Sequence, residues 1–175
     1  MVVAKSIRNV MDSSLVKVII EIPKGDDRRR HLKYDKSGFV DLGPIRDVIP
    51  VNEGIMPVHY GYIPETLNKK EGDEIDILVM SDEIMKVGQE IEVEPIALIN
   101  REDGDDKIVA TDKTRNLVKN WDDIPEDERK LIESFFSYHH KFRSIEAAGT
   151  AREYVETGYK SFIGHRNEIG TCHGA

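Results

Sequence analysis

A single cysteine, Cys172, stands in the 175 residues, so no intrachain disulfide can close and a reducing compartment is expected. No CxxC pair, GxSxG elbow or Walker-type phosphate loop occurs, which removes the usual signatures of thiol redox chemistry, serine hydrolases and P-loop enzymes. Positive charge is the scarcer sign: 25 Lys and Arg against 33 Asp and Glu leave a formal net charge of −8. The one basic run, Arg28-Arg29-Arg30, is too short to offset that balance and reads as a solvated loop in preference to a phosphate clamp, so a nucleic-acid partner is disfavoured. No apolar run reaches signal-peptide or membrane-span length; the expectation is a cytoplasmic protein without a membrane partner. Tandem repeats and low-complexity segments are also lacking.

What is present is an ordinary globular composition, 39% hydrophobic and 33% charged, in a chain long enough for one domain over residues 1–175 with a real core. The first half reads as β-rich. Leu15 to Ile22 is β-branched and partly alternating, and Pro23-Lys24-Gly25-Asp26 ends it. His31 to Tyr34 and Phe39 to Leu42 flank the turn signal Asp35-Lys36-Ser37-Gly38, which predicts a hairpin. Ile75 to Met80, Glu90 to Ile99 and Lys107 to Ala110 complete five or six strands, spaced as in an antiparallel sheet or small barrel. The second half reads as helical. Asp122 to Glu128 offers a capping Asp, an early Pro and an acidic first turn, and Leu131, Ile132, Phe135, Phe136 and His139 then recur at helical spacing. A second helix is predicted over about 145–163, weakened by Gly158, and the stretch 164–175 is expected to be a mobile tail. The class is α+β: a β-barrel core with one or two packing helices.

The most informative stretch runs from His59 to Val79. A polar turn carries Glu71, Asp73 and Asp76 straight into the apolar segment from Ile75 to Met80. Carboxylates at the lip of a buried strand are unfavourable unless a cation neutralises them, and an oxygen-only ligand set suits Mg²⁺ or a similar hard ion better than zinc. Glu21, inside the apolar Val18-Ile-Ile-Glu-Ile, is either the solvent face of a half-exposed strand or a further ligand. The run from Arg101 to Lys107 is either a solvated hairpin tip or part of the same site. Arg46, Tyr60 and Lys107 add donors. Carboxylates for a divalent metal plus Arg, Lys and Tyr are what a highly charged phosphate compound requires.

Four segments carry a resemblance: Val18-Ile-Ile-Glu-Ile-Pro23, His59-Tyr-Gly-Tyr-Ile-Pro64, Gly72-Asp-Glu-Ile-Asp-Ile-Leu-Val79 and Asp105-Asp-Lys-Ile-Val-Ala110. In order and type they resemble the soluble, single-barrel, magnesium-dependent inorganic pyrophosphatases. The resemblance implies a five-stranded, OB-like antiparallel β-barrel with helices outside, hydrolysing pyrophosphate to two phosphates with several Mg²⁺ ions (Mn²⁺ being an alternative), in a homo-oligomer for which a hexamer is the family's suggestion. It implies roles position by position. Asp73 resembles the general base, Asp76 the carboxylate that bridges two metals, Asp103 and Asp105 the later metal ligands, Glu21 the ligand of a further metal, and Glu71 a ligand standing where the family has Asp. Arg46, Tyr60 and Lys107 resemble the phosphate-contacting residues, joined by Lys33 in the second strand (together with His31 if the alignment is anchored on the Asp35-Lys36 turn) and by His139 and Lys141 after the first helix.

The chain also departs from the pattern. Met56 stands four residues before Tyr60, where the family has a second Tyr, and Tyr138-His-His-Lys141 replaces a helix-borne Tyr-Lys pair. The acidic hairpin is short, leaving the last ligand open between Asp105 and Asp106. Three readings follow: an active pyrophosphatase, a metal-dependent hydrolase of another phosphoanhydride or phosphoester, or a non-catalytic metal–phosphate binder. A general base at Asp73 argues against the last.

Overall fold

The computed structural model of the chain describes residues 15–171; Cys172, His173 and the end of the expected tail lie outside them. The β-branched opening forms β1 (Val16–Ile22), as its sequence predicts. The Arg-rich segment is a strand and not a loop: β2 (Arg28–Leu32) pairs antiparallel with β3 (Phe39–Pro44) in a separate two-stranded sheet. The hairpin is the expected one, with its first strand starting three residues earlier than read. In its turn, Lys36 takes φ 61° while Asp35 Oδ1 accepts from the Ser37 N–H at 3.0 Å.

Then follow β4 (His59–Asn68), β5 (Asp73–Met80), β6 (Glu90–Arg101) and β7 (Lys107–Thr111). They lead to α1 (Glu126–Phe136), β8 (Phe142–Ala147) and α2 (Ala148–Thr171). The order β1-β4-β5-β7-β6 closes through β6–β1 pairing, with Val16 opposite Val93, and makes a five-stranded barrel; β8 pairs with β6 outside the ring. The expectation of an all-antiparallel barrel is corrected at one seam. An odd-membered ring cannot alternate direction at every neighbour, and the parallel pair is β5–β7, with Asp76 beside Lys107.

The stretches 77–80 of β5 and 108–110 of β7 are continuously apolar because both of their faces are buried. Ile75, Ile77, Val79, Ile108 and Ala110 feed one core with Ala151 and Val155 of α2. Leu78, Met80 and Val109 feed the other with Ile132, Phe135 and Phe136 of α1. Gly158, which weakened the helix prediction, lies where α2 crosses β5: a Cβ there meets Ile75 Cδ1 at 2.3 Å. The first helix begins at Pro125 with no side-chain cap, in place of the expected Asp; Asn120 instead caps a short 3₁₀ turn ahead of it, accepting from the Asp123 N–H. Ile145, expected in the second helix, belongs to β8, and α2 runs on through residues 164–171, which were read as tail.

Two strands are irregular where the site is built. β1 slips register between Ile20, opposite Gly61, and Ile22, opposite Tyr60, so Glu21 is the extra residue of a β-bulge. The bulge sends Ile20 and Ile22 into different cores, although strict alternation places them on one face. Gly61 is needed there, because a Cβ would lie 2.2 Å from the Ile19 carbonyl oxygen. In β4, Pro64 lacks an N–H and Glu65 adopts φ 58°. The ladder is repaired by Thr66 Oγ1, which donates to the Ile63 carbonyl at 2.6 Å and accepts from the Ile75 N–H at 3.1 Å.

Candidate active site

The bulge, the start of β5 and the β6–β7 turn open onto one cavity of about 440 Å³, bounded further by β2 and by α1. Six carboxylates line it: Glu21, Glu71, Asp73, Glu74, Asp76 and Asp105. Four cations share it: Arg29, Arg30, Arg101 and Lys107. On β5, Asp76 alternates with Ile75 and Ile77 and so faces the same side as Leu78. The parallel register sets Lys107 at its side, Nζ to Asp76 Oδ2 at 2.9 Å. Lys107 also reaches Asp105 Oδ2 at 3.2 Å and donates to the Tyr60 hydroxyl at 3.2 Å. Burial alone lowers the affinity of Lys107 for its proton, but the charges of Asp76 and Asp105 outweigh it and hold the ammonium above its ordinary pKa. Tyr60 is stacked against Phe136, ring centroids 6.0 Å apart, and burial pushes its phenol well above the usual value, so it remains a donor.

The turn carrying Glu71 is fixed by Asn68. Its carbonyl accepts from the Gly72 N–H at 2.7 Å, and its side-chain amide donates to the Gly104 carbonyl at 3.3 Å, tying the 69–72 turn to the β6–β7 turn. Glu71 is brought close enough to Asp105 and Asp103 for burial and their charges to raise its carboxyl. Asp105 and Asp106, between which the sequence leaves the last ligand open, are placed differently. Asp105 lines the cavity, whereas Asp106 is buried and accepts from the Arg101 N–H at 2.8 Å.

At the entrance to β5, Asp73 Oδ1 accepts from the Glu74 N–H at 2.8 Å and Oδ2 faces His31 Nε2 at 3.2 Å. Burial raises Asp73, but the hydrogen bonds from Glu74 and the charges of His31 and Lys36 prevail and hold it below the usual carboxylate range. Glu21 behaves oppositely: burial first, then the charges of Asp76, Asp73 and Glu74, push it up to about 8. An all-oxygen donor set with that much unneutralised charge around Glu21 fits a hard divalent cation. As the side chains stand, no three Asp, Glu, His or Cys groups among the described residues close on a single ion. Asp76 and Asp105 are instead turned onto Lys107, and Asp105 also onto Arg101.

The sequence profile of the inorganic pyrophosphatases matches residues 18–161. The chain belongs to the inorganic pyrophosphatase family. The inorganic pyrophosphatase of Thermus thermophilus is 32% identical over 165 residues, 90% of this chain and 88% of that one. That of Saccharolobus solfataricus is 31% identical, over 81% of this chain and 86% of its own length. The crystal structure of the Neisseria gonorrhoeae inorganic pyrophosphatase superposes with a TM-score of 0.74 at 25% identity, covering 87% of this chain and 93% of that chain. The barrel and its two helices are therefore the pyrophosphatase fold.

Eight residues expected in the site line the cavity: Glu21, Tyr60, Glu71, Asp73, Asp76, Asp105, Lys107 and His139. Four do not. Asp103 sits behind it, 3.5 Å from Arg101 Nη2 and 3.7 Å from His140 Nε2. Arg46 is exposed on a 3₁₀ turn packed against Gly54. Lys33 lies just past β2, its N–H bonded to the Gly38 carbonyl at 2.8 Å, and Lys141 lines a different depression beside α1 and β8. His139 is past the end of α1, with Nε2 2.8 Å from the Val48 carbonyl. The cavity is also lined by Glu74 and Arg101, which the sequence reading does not place in the site, by Arg29 and Arg30, which it favours as a solvated loop, and by His31, which it offers only in the alignment anchored on the Asp35-Lys36 turn. The signal for Arg29 and Arg30 is the β-register of the Arg triplet; for Arg101 there is none beyond its place at a strand end.

Proposed function

We propose that this chain hydrolyses inorganic pyrophosphate to two phosphates, in the cytoplasm, with several Mg²⁺ ions (or Mn²⁺) held by Glu21, Glu71, Asp76 and Asp105, as part of a homo-oligomer that family resemblance makes a hexamer. The observation that carries this reading is the convergence of six carboxylates from three separated segments around one charged lysine, in a member of this family. When bound, the metal supplies neutralisation of the pyrophosphate charge and acidifies the attacking water. Asp73 is the group suited to take the proton from that water. It is held below the usual carboxylate range, its Oδ1 is engaged by the backbone, and its Oδ2 faces the His31 ring at 3.2 Å. Lys107 and Tyr60, both held protonated, donate to the phosphoryl group that leaves. His139 stands at the rim as a further donor, and Asp103 acts through its contact with Arg101; Lys33, Arg46 and Lys141 carry no contact in this scheme.

One observation favours a second reading, with another phosphoanhydride or phosphoester as substrate. Leu42, Ile45, Ile49, Met56, Phe135 and Phe136 give the cavity an apolar wall, which pyrophosphate has no surface to use. A phosphate-release screen with Mg²⁺ and Mn²⁺ over pyrophosphate, longer polyphosphates, nucleotides and small organic phosphates separates the two. Release from pyrophosphate at the highest kcat/KM is expected. Release only from a compound with an organic group moves the function to the second reading, and no release from any of them, with metal still bound, makes the chain a non-catalytic binder.

A further inference from the structure

Two guanidinium groups in the cavity have an N–H that nothing in the protein accepts. The Arg101 side chain is only 9% exposed. Its Nη1 donates to Asp105 Oδ2 at 3.0 Å and its Nη2 lies 3.5 Å from Asp103 Oδ2, yet its Nε is buried without a hydrogen-bond partner. Arg29, on β2, uses Nη2 on the Leu42 carbonyl at 3.2 Å, and its Nε is likewise buried and unpartnered. Orphaned buried donors are rare, and on a charged group they are the least tolerable kind. Both belong to residues that line the same cavity, and they reach it from separate elements, the end of β6 and the middle of β2. The neighbouring carboxylates do not use them, because Asp105 and Asp103 are already engaged by the terminal nitrogens of Arg101.

What such a pair lacks is an acceptor with several oxygens and a negative charge. A phosphoryl group meets that need: guanidinium binds it in fork geometry, through Nε and one terminal nitrogen together. We propose that Arg101 and Arg29 are direct ligands of the phosphoryl oxygens in this site, each through its Nε–H. The assignment rests on the reading of this cavity as a phosphate-hydrolysing site. It adds two substrate-binding residues, and it explains why a guanidinium is buried among carboxylates at the turn where the resemblance implies only metal ligands.

Arg→Lys substitution tests the claim, because it keeps the charge and removes the Nε–H fork. Binding of inorganic phosphate and of methylenediphosphonate, a pyrophosphate analogue that water does not cleave, is measured calorimetrically in Mg²⁺ for the wild type, Arg101→Lys and Arg29→Lys. Each variant is expected to bind both anions at least tenfold more weakly, with its melting temperature and Mg²⁺ affinity close to wild type. Arg29→Lys keeps the test decisive should Arg101→Lys fail to fold, since Arg29 is only half-buried. Anion affinities equal to wild type in the Lys variants, with KM for pyrophosphate unchanged, overturn the assignment and leave the pyrophosphatase reading intact. The expected affinity losses in a protein that releases no phosphate from pyrophosphate have the reverse meaning: the two arginines are anion ligands and the substrate is another phosphate compound.

Discussion

The two ends of the cavity are built differently. The end formed by β1, β5 and β7 carries Glu21, Asp73, Asp76 and Lys107 on strands whose register is locked by neighbours, down to Asp76 and Lys107 lying side by side in a parallel ladder. The other end is assembled from the separate β2–β3 sheet, the segment around Met56 and the residues after α1. It presents arginines, an apolar wall and two histidines, His31 and His139. On the proposed reading, the metal and proton chemistry sits on the barrel strands, whereas the separate sheet and the loops hold outer phosphoryl oxygens and the rest of the substrate.

Changes at the barrel end should therefore have the largest effects. Asp73→Asn is expected to lower kcat on pyrophosphate by roughly 10²–10⁴-fold. It should leave Mg²⁺-induced thermal stabilisation largely in place; near-wild-type turnover would remove Asp73 from the role of base. Gly61→Ala probes the bulge itself. With a Cβ 2.2 Å from a backbone oxygen, either β1 or β4 must move, and a loss of about 3 kcal/mol or more in denaturant unfolding is expected, together with loss of activity. A variant as stable and active as wild type would show that the bulge does not depend on this close approach.

Glu21 gives a pH test. Its folded-state pKa of about 8 lies above the ordinary 4.5, so between those values the native protein holds a proton that the unfolded chain has released. The associated stability is fully present below about pH 4.5 and is lost as pH rises through about 8. The melting temperature of metal-free protein should fall across that window, by the equivalent of a few kcal/mol at most, and Glu21→Gln should flatten the fall. An equal slope in the variant would place the proton elsewhere. The smallest effects belong to the residues after α1: His139→Ala should alter KM a few-fold at most, and Lys141→Ala should leave kcat/KM within about twofold, as a residue outside the cavity lining does. A tenfold loss from Lys141→Ala would mean that this segment closes over bound substrate.

The same division explains what the sequence could reveal. β1, β5, β6 and β7 were legible because burial on one or both faces writes a continuous apolar signal, and the carboxylates at their ends stood out against it. α1 was legible by its period. β4 went unread because Gly61, Pro64 and the left-handed Glu65 interrupt its alternation, although burial does alternate along its first half. β8 was absorbed into the helix that follows, since Phe142 to Ala147 has neither turn signal nor alternation to separate it. The arginine triplet looked solvated because composition carries no register, and only pairing with β3 sets Arg29 and Arg30 at the cavity. Lys33 and Lys141 rest on the family resemblance, and Arg46 on that resemblance and its nearness along the chain, neither of which fixes where a loop side chain ends up.

The central claim is that carboxylates far apart in the chain share divalent ions at one mouth of the barrel. Anomalous scattering from crystals grown with Mn²⁺ tests it most directly. The account predicts peaks in the cavity at coordination distance, about 2.2 Å, from Asp76 and from at least one of Glu71, Asp73, Asp105 and Glu21. A saturated crystal with no peak there, and Asp76 still bonded only to Lys107, would contradict it.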